Sequence, residues 1–282
     1  MGGARMRARI LWSGCALPLE ALSAATSDYQ QRLLLSYEHL VQLAKWIDQL
    51  APRLPSNIEL SLFAIQAPPD LVDRTSASNH KVALVSAVMF TDSADTARST
   101  LSALDSYPSL HQCRSRSVAK QTNFTELFDA AGALWPKNLR AKVDALFFNA
   151  PLADLCGAVK DHLAVAPSPK AVLLFSVFTG TNVPPATPSD AAFSMTGKLY
   201  GGPWTMWAAP DQDAANISWH AKCVELLKPY VAGHYIGETD FAGHREFARL
   251  SYSPASWKRI DKLRKKFDPE GLFFDFSDGL GA

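Results

Sequence analysis

The chain has 282 residues, of which 48% are apolar, 20% charged and 10% aromatic; that length and apolar fraction suit one large globular unit with ample core and exclude a disordered or low-complexity chain. Lys and Arg number 28 against 27 Asp and Glu, a net charge of +1, so no global field draws nucleic acid or anionic lipid. The four cysteines, Cys15, Cys113, Cys156 and Cys223, stand far apart with no CxxC and read as small hydrophobes or free thiols, not as a disulfide frame or zinc site.

At the N-terminus Arg5, Arg7 and Arg9 precede Ile10-Leu11-Trp12 in the manner of a poor signal peptide. Ser13, Gly14 and Pro18 break the apolar stretch and Glu20 follows it, so a cytoplasmic location is expected, with secretion as the alternative. No apolar run approaches the roughly 18 residues of a membrane helix. Leu22, Tyr29, Leu33, Tyr37, Leu40, Leu43 and Ile47 recur at helical spacing, which predicts one long helix or two stacked ones over 22–50, stopped by Pro52 and Pro55. Ile58 to Ile65 and Val82 to Phe90 read as strands joined by a polar hairpin loop over 67–80. Asp92 or Ser93 caps a helix running to about Leu104, and 106–123 reads as a loop carrying Arg114, Arg116 and Lys120.

The second half repeats this grammar. A helix is predicted over 152–163, a strand over 171–179, a Pro-rich loop over 182–190, strands over 192–200 and 203–209 about a Gly201-Gly202 turn, and a helix over 214–227. Strands joined by hairpins, with helices between, predict an α+β fold: a mainly antiparallel sheet backed by helices. The chain divides into an N-terminal helical segment (1–52), a substrate-binding α+β region (53–230) and a C-terminal segment (231–282), forming one continuous globular unit. In that last segment Ser253-Pro254 starts a helix, with Trp257, Ile260, Leu263 and Phe267 as its inner stripe. Lys258, Arg259, Lys262, Arg264, Lys265 and Lys266 form a solvated face whose cations suit the helix C-terminus.

The run from Trp257 to Phe267, followed by Asp268-Pro269-Glu270-Gly271-Leu272-Phe273-Phe274, resembles the terminal segment of berberine-bridge-enzyme-like flavoproteins, which are FAD-linked oxidoreductases of the vanillyl-alcohol-oxidase class. Upstream, Tyr235-Ile236-Gly237-Glu238-Thr239-Asp240 occupies the place of that family's Y-x-N-x-x-D element. Ala192-Phe193, Trp207, Asn216 and Trp219 fit its strand-strand-helix run, and Phe124 to Phe128 fits its usual place. Full members are roughly twice this size, because a flavin-binding domain with a glycine-rich pyrophosphate loop precedes the region seen here. No GxGxxG or P-loop pattern occurs in this sequence.

The resemblance implies FAD as cofactor, held with the help of a separate FAD-binding partner chain, and an oxidation of a small aromatic or polycyclic substrate. It places Gly237 and Asp240 at the cofactor. Gly237 stands where the family has an Asn against the flavin, and Glu238 where some members carry a tyrosine base. Glu238 and Tyr235 are therefore the catalytic candidates, since a buried carboxylate can serve as base. Phe193, Trp204 and Trp207, with Tyr200, lie on adjacent predicted strands and are the substrate-binding candidates. Each has a plainer reading: a turn glutamate at Glu238, a loop anchor at Asp240, and core packing for the aromatics. His234 and His244 fit no metal spacing, so no metal is expected, and no G-x-S-x-G elbow supports a serine hydrolase. The alternatives are a flavin-free binding or accessory protein, or a redox-neutral cyclase derived from the family. The expected partners are a small molecule and a FAD-binding subunit or a second copy, with neither nucleic acid nor membrane.

Overall fold

Strand alternation places apolar residues on one side of a broad antiparallel sheet, and helices cover that side. The computed structural model describes residues 9–12, 15–18, 27–71, 81–180, 192–241 and 246–273. Its strands are β1 (Arg9–Trp12), β2 (Cys15–Pro18), β3 (Ser27–Ser36), β4 (Ile58–Gln66), β5 (Lys81–Thr91), β6 (Ser115–Thr122), β7 (Arg140–Phe148), β8 (Val172–Val177), β9 (Leu199–Trp207) and β10 (Val231–Thr239). Its helices are α1 (Leu40–Leu50), α2 (Ala94–Leu101), α3 (Phe124–Leu134), α4 (Leu152–Ala164), α5 (Asp213–Leu227), α6 (Glu246–Leu250) and α7 (Pro254–Phe267). β1 and β2 form a two-stranded hairpin, and the other eight pair in the order β10-β7-β9-β8-β4-β5-β3-β6. All seven of those pairings are antiparallel.

This order contains a duplication. β3-α1-β4-β5-α2-β6 and β7-α4-β8-β9-α5-β10 are each a βαββαβ unit with the split-βαβ strand order 4-1-3-2. The two units meet where their second strands, β4 and β8, pair, and Ser61 Oγ and Ser176 Oγ lie 3.2 Å apart across that seam. The expected α+β class is what the chain adopts.

Leu33, Leu35, Ile58, Leu60, Leu62, Val85, Phe148, Leu173 and Phe175 line the helix-covered face. They pack on Leu40, Leu43 and Ile47 of α1, Leu101 of α2, Leu152, Leu155 and Val159 of α4, and Trp219 and Leu227 of α5. Each such side chain contributes about 1.5–3 kcal/mol by leaving water. α4 begins at Pro151, which has no capping side chain, and α1 supplies the cap from outside: Leu152 N–H and Ala153 N–H donate to the Asp48 carboxylate at 2.8 and 3.0 Å. Ser93 caps α2 and Ser253 caps α7, each accepting from a backbone N–H three residues on.

Several expectations are corrected. Residues 27–36, expected to be helical, form β3, and of the 22–50 stretch only Leu40–Leu50 is regular α-helix. Residues 115–122, expected to be loop, form the edge strand β6. Gly201-Gly202 is not a turn between two strands but the middle of the single strand β9. The expected strand at 192–198 is irregular chain, and the Pro-rich loop at 182–190 lies outside the described residues. The inner stripe expected of α7 has little to pack against: Trp257 and Ile260 are half-buried, while Leu263 and Phe267 are 43% and 68% exposed. No described helix is long and apolar enough to cross a membrane.

Candidate active site

Opposite the helices, alternation brings a second set of side chains to the sheet surface. Register fixes a row that crosses it: Phe147, Tyr200, Ser176, Ser61, Ser86, Arg32 and Ser117 stand side by side on β7, β9, β8, β4, β5, β3 and β6. Beside it runs a second row, Gly202, Leu174, Phe63, Leu84 and Leu34. Cover on this side is local. Phe193 and Met195 pack over Phe147 and Tyr200, while Leu134, Trp135 and Leu139 pack over the Trp204 end.

β10 supplies the acidic group. His234 pairs with Leu146 and Thr239 with Asp144, so four residues, Tyr235 to Glu238, lie opposite Ala145 alone. A bulge of this kind re-aims side chains, and here it carries Glu238 over the sheet, where Tyr200 O–H donates to Glu238 Oε2. Burial, then the hydrogen bond and charge of Glu238, push the Tyr200 phenol far above its usual range. The phenol therefore stays protonated and donates. Tyr235 meets Tyr200, Phe147 and Phe193 edge-on at 5.7, 6.4 and 6.2 Å between ring centres. These rings pack around the Tyr200 phenol, and Glu238 itself stays half-buried.

The base of the bulge is braced from beneath. His220 Nε2 lies 2.9 Å from Asp144 Oδ2 and its Nδ1 2.8 Å from Thr205 Oγ1, all three residues being buried. The other Asp144 oxygen accepts from Asp240 N–H at 3.2 Å, and the Asp240 carboxylate pairs with Lys142 Nζ at 2.6 Å. Hydroxyl, imidazole and carboxylate stand in the order of a nucleophilic triad. Thr205 is wholly buried, however, so the chain of bonds ties β7, β9, α5 and β10 together and meets no substrate.

The sequence candidates thus fall into three places. Glu238, Tyr235 and Phe193 come together around Tyr200. Trp204 shares their face four residues along β9, about 13 Å away, with its ring 4.5 Å from Trp135 and its indole N–H unpartnered. Trp207 points to the other side, where its indole N–H donates to Asp213 Oδ1 at 2.6 Å; Asp213 also accepts from Arg140. Gly237 is exposed at the crest of the bulge, and Asp240 anchors its end. His234 stacks on Phe247 at 4.0 Å, and His244 lies outside the described residues. Among the described residues no three His, Cys, Asp or Glu side chains converge as metal ligands. Sequence reasoning gave Tyr200 only a place among pocket aromatics and missed Asp144, Thr205 and His220, whose one signal is polarity at positions where a strand or helix should be apolar.

No family model matches the chain. It is 29% identical over 85 residues to the FAD-linked oxidoreductase YvdP of Bacillus subtilis (strain 168), a match covering 30% of this chain and 19% of that protein. Among solved structures it resembles BBE-like 1 of Physcomitrella patens (TM-score 0.66, 13% identity, 89% of this chain and 53% of that one). It also resembles Phl p 4, a grass pollen allergen with glucose dehydrogenase activity (TM-score 0.63, 15% identity, 88% and 54%). A third neighbour is CrmK, a flavoenzyme of the shunt product recycling mechanism in caerulomycin biosynthesis (TM-score 0.64, 16% identity, 88% and 55%). The chain spans about half the length of these structures, and the 85 residues matched to YvdP span about a fifth of that protein. It therefore shares the fold found in one half of the berberine-bridge-enzyme-like, FAD-linked oxidoreductases.

Proposed function

We propose that the chain is the substrate-binding half of a flavin-dependent oxidoreductase acting on a small hydroxylated organic molecule with an aromatic or polycyclic body. The observation that carries this reading is the Tyr200–Glu238 pair in its aromatic box, on the open side of the sheet. The described residues offer a flat face and a proton acceptor for a ring system. They offer no glycine cradle for a pyrophosphate, so the nucleotide part of FAD falls to a flavin-binding half outside these 282 residues. The exposed apolar stripe of α7, with Leu272 and Phe273 beyond it, is the surface that half covers.

FAD, when bound, supplies the acceptor for a hydride. This chain's own work is proton transfer and positioning. Tyr200 O–H fixes one oxygen of Glu238, and the other oxygen takes the substrate hydroxyl proton as the C–H bond breaks and the C=O forms. Phe147, Phe193 and Tyr235 pack around the Tyr200 phenol, and Gly237, whose missing side chain would meet the Tyr235 ring at 3.0 Å, lets that ring lie against the crest of the bulge. A second reading, a flavin-free binding protein or cyclase, draws on Gly237 standing where the resembled family has Asn.

The test is an absorption spectrum of the purified chain with FAD, then of the complex it forms in its source cells. FAD should not bind to the chain alone, and the flavin band should co-purify with the complex. Within that complex Glu238→Gln should slow flavin reduction by substrate about 10²–10⁴-fold. A complex without flavin, or a Glu238→Gln complex reduced at the normal rate, overturns the assignment.

A further inference from the structure

On the same side of the sheet, β3 carries a guanidinium that pairs with no carboxylate among the described residues. Arg32 stands one strand in from the end of the transverse row, between Ser86 on β5 and Ser117 on β6. It is half-buried, its Nε is shut off from solvent, and that nitrogen has no hydrogen-bond partner. Ser117 Oγ accepts from the Arg32 backbone N–H, not from the side chain. The nearby Gln30 side chain is engaged with Ser86 at 3.2 Å.

The carboxylates around it are committed elsewhere or lie too far along the strand. Asp105 pairs with Arg116 and accepts from Gln31 on the helix side. Asp28, four residues along β3, is itself 1% exposed with one oxygen unpartnered, and Glu59 on β4 makes no ion pair with Arg32. Burial alone moves the Arg32 guanidinium down from its usual range and the Asp28 carboxyl up, with no opposite charge contributing to either. An ion withdrawn from water without a partner is costly, and the cost is recovered when a ligand brings the opposite charge.

What lies next to Arg32 indicates the rest of that ligand. Leu84, Phe63 and Leu174, on β5, β4 and β8, form a half-buried apolar floor in register with one another. It leads from Arg32 toward Gly202 and the Tyr200–Glu238 pair. Arg32 and Tyr200 are four inter-strand spacings apart, about 19 Å between backbones, and the arginine side chain spans part of that distance. We infer that this face binds an organic acid, with its carboxylate on Arg32, its apolar ring on Leu84, Phe63 and Leu174, and its reacting end at Glu238. The inference rests on the proposed function in taking this side of the sheet as the substrate site and Glu238 as the group at its reacting end.

The test needs no flavin. Biphenyl-4-carboxylate and its neutral carboxamide are titrated against the full chain by calorimetry, with the Arg32 Nε–H signal followed by NMR. The carboxylate should bind at least tenfold more tightly, shift that signal and weaken with added salt. Arg32→Gln should bring it down to the carboxamide's affinity while leaving the carboxamide unchanged, and Arg32→Lys should retain part of the preference. Arg32→Gln removes a charge without a partner, so its unfolding midpoint should not fall. Equal affinities in the parent chain, a preference that survives Arg32→Gln, or binding of neither compound overturns the site. Carboxylate preference in a chain whose complex holds no flavin would retire the oxidoreductase reading and leave this site standing; the reverse result would do the opposite.

Discussion

Lys81 opens β5 on the helix-covered side of the sheet, 3% exposed, and its ammonium donates to Ala171 O at 2.7 Å with no carboxylate alongside. Burial lowers its pKa from 10.5 to about 8. Below pH 8 both the folded and the unfolded chain carry the proton, and the folded state bears the full desolvation cost, about 3 kcal/mol. Between pH 8 and 10.5 the unfolded chain holds a proton that the folded chain has released, so this residue's contribution to stability rises with pH. Lys81→Met removes the charge and forfeits one hydrogen bond worth about 1 kcal/mol. It should stabilise the chain by about 1–2 kcal/mol at pH 7 and lose the advantage by pH 10.5. Urea unfolding of both proteins at the two pH values reads this directly; a parent–variant difference that does not change with pH would sink the argument.

At the scale of single elements, the same residue type has opposite consequences in β9 and α4. Gly201 and Gly202 sit at positive φ in a central strand, and a Cβ on either would lie within the envelope of a neighbouring carbonyl oxygen, Leu174 O or Asp144 O. Neither oxygen can retreat without breaking the ladder. Gly202→Ala should therefore cost about 3 kcal/mol or more and disturb the Tyr200–Glu238 pair two residues away. Gly157 lies on the exposed side of α4 with nothing within 4 Å of a built Cβ. There Gly157→Ala should gain about 0.8–1 kcal/mol of helix propensity. Thermal unfolding of the two variants should show shifts of opposite sign, and a tolerated Gly202→Ala would mean that β7 approaches β9 less closely than it does here.

These elements also show what sequence periodicity can resolve. Tyr29, Leu33 and Tyr37 are spaced by four, which satisfies both the strand period of 2 and the helix period of 3.6, so β3 reads as helix until Leu35 and the pairing with β5 settle it. β6 offers no apolar alternation because, as an edge strand carrying Arg116 and Lys120, it has one neighbour and little to bury. By contrast β4, β5, α4 and α5 bury continuous apolar faces and are legible to within a residue or two. Within the candidate site, Glu238 and Tyr235 are singled out by a short resembled motif. Tyr200 was not readable as their partner, because only the β10 bulge and the β7–β9 register bring it to Glu238.

Across the whole molecule the duplicated βαββαβ units close their own core, yet α7 lies outside that closure. None of its residues is buried; Leu263 and Phe267 stand open in an apolar line, and six Lys and Arg flank them. Asp268 accepts from the backbone N–H groups of Leu272 and Phe273, and Arg264 donates to Phe273 O, so the two further apolar side chains are held against the helix end. An apolar patch this prominent marks an interaction surface, whereas a stripe that merely completed the core would be buried. The two cases separate by experiment. Leu263→Lys with Phe267→Lys should leave the unfolding free energy within about 0.5 kcal/mol of the parent, as for exposed positions. The same pair should abolish recovery of the proposed flavin-bearing complex and suppress any concentration-dependent self-association in sedimentation. A large loss of stability would instead mean that α7 belongs to the core. Unchanged complex recovery and self-association would mean that α7 is not the surface the proposed flavin-binding half covers.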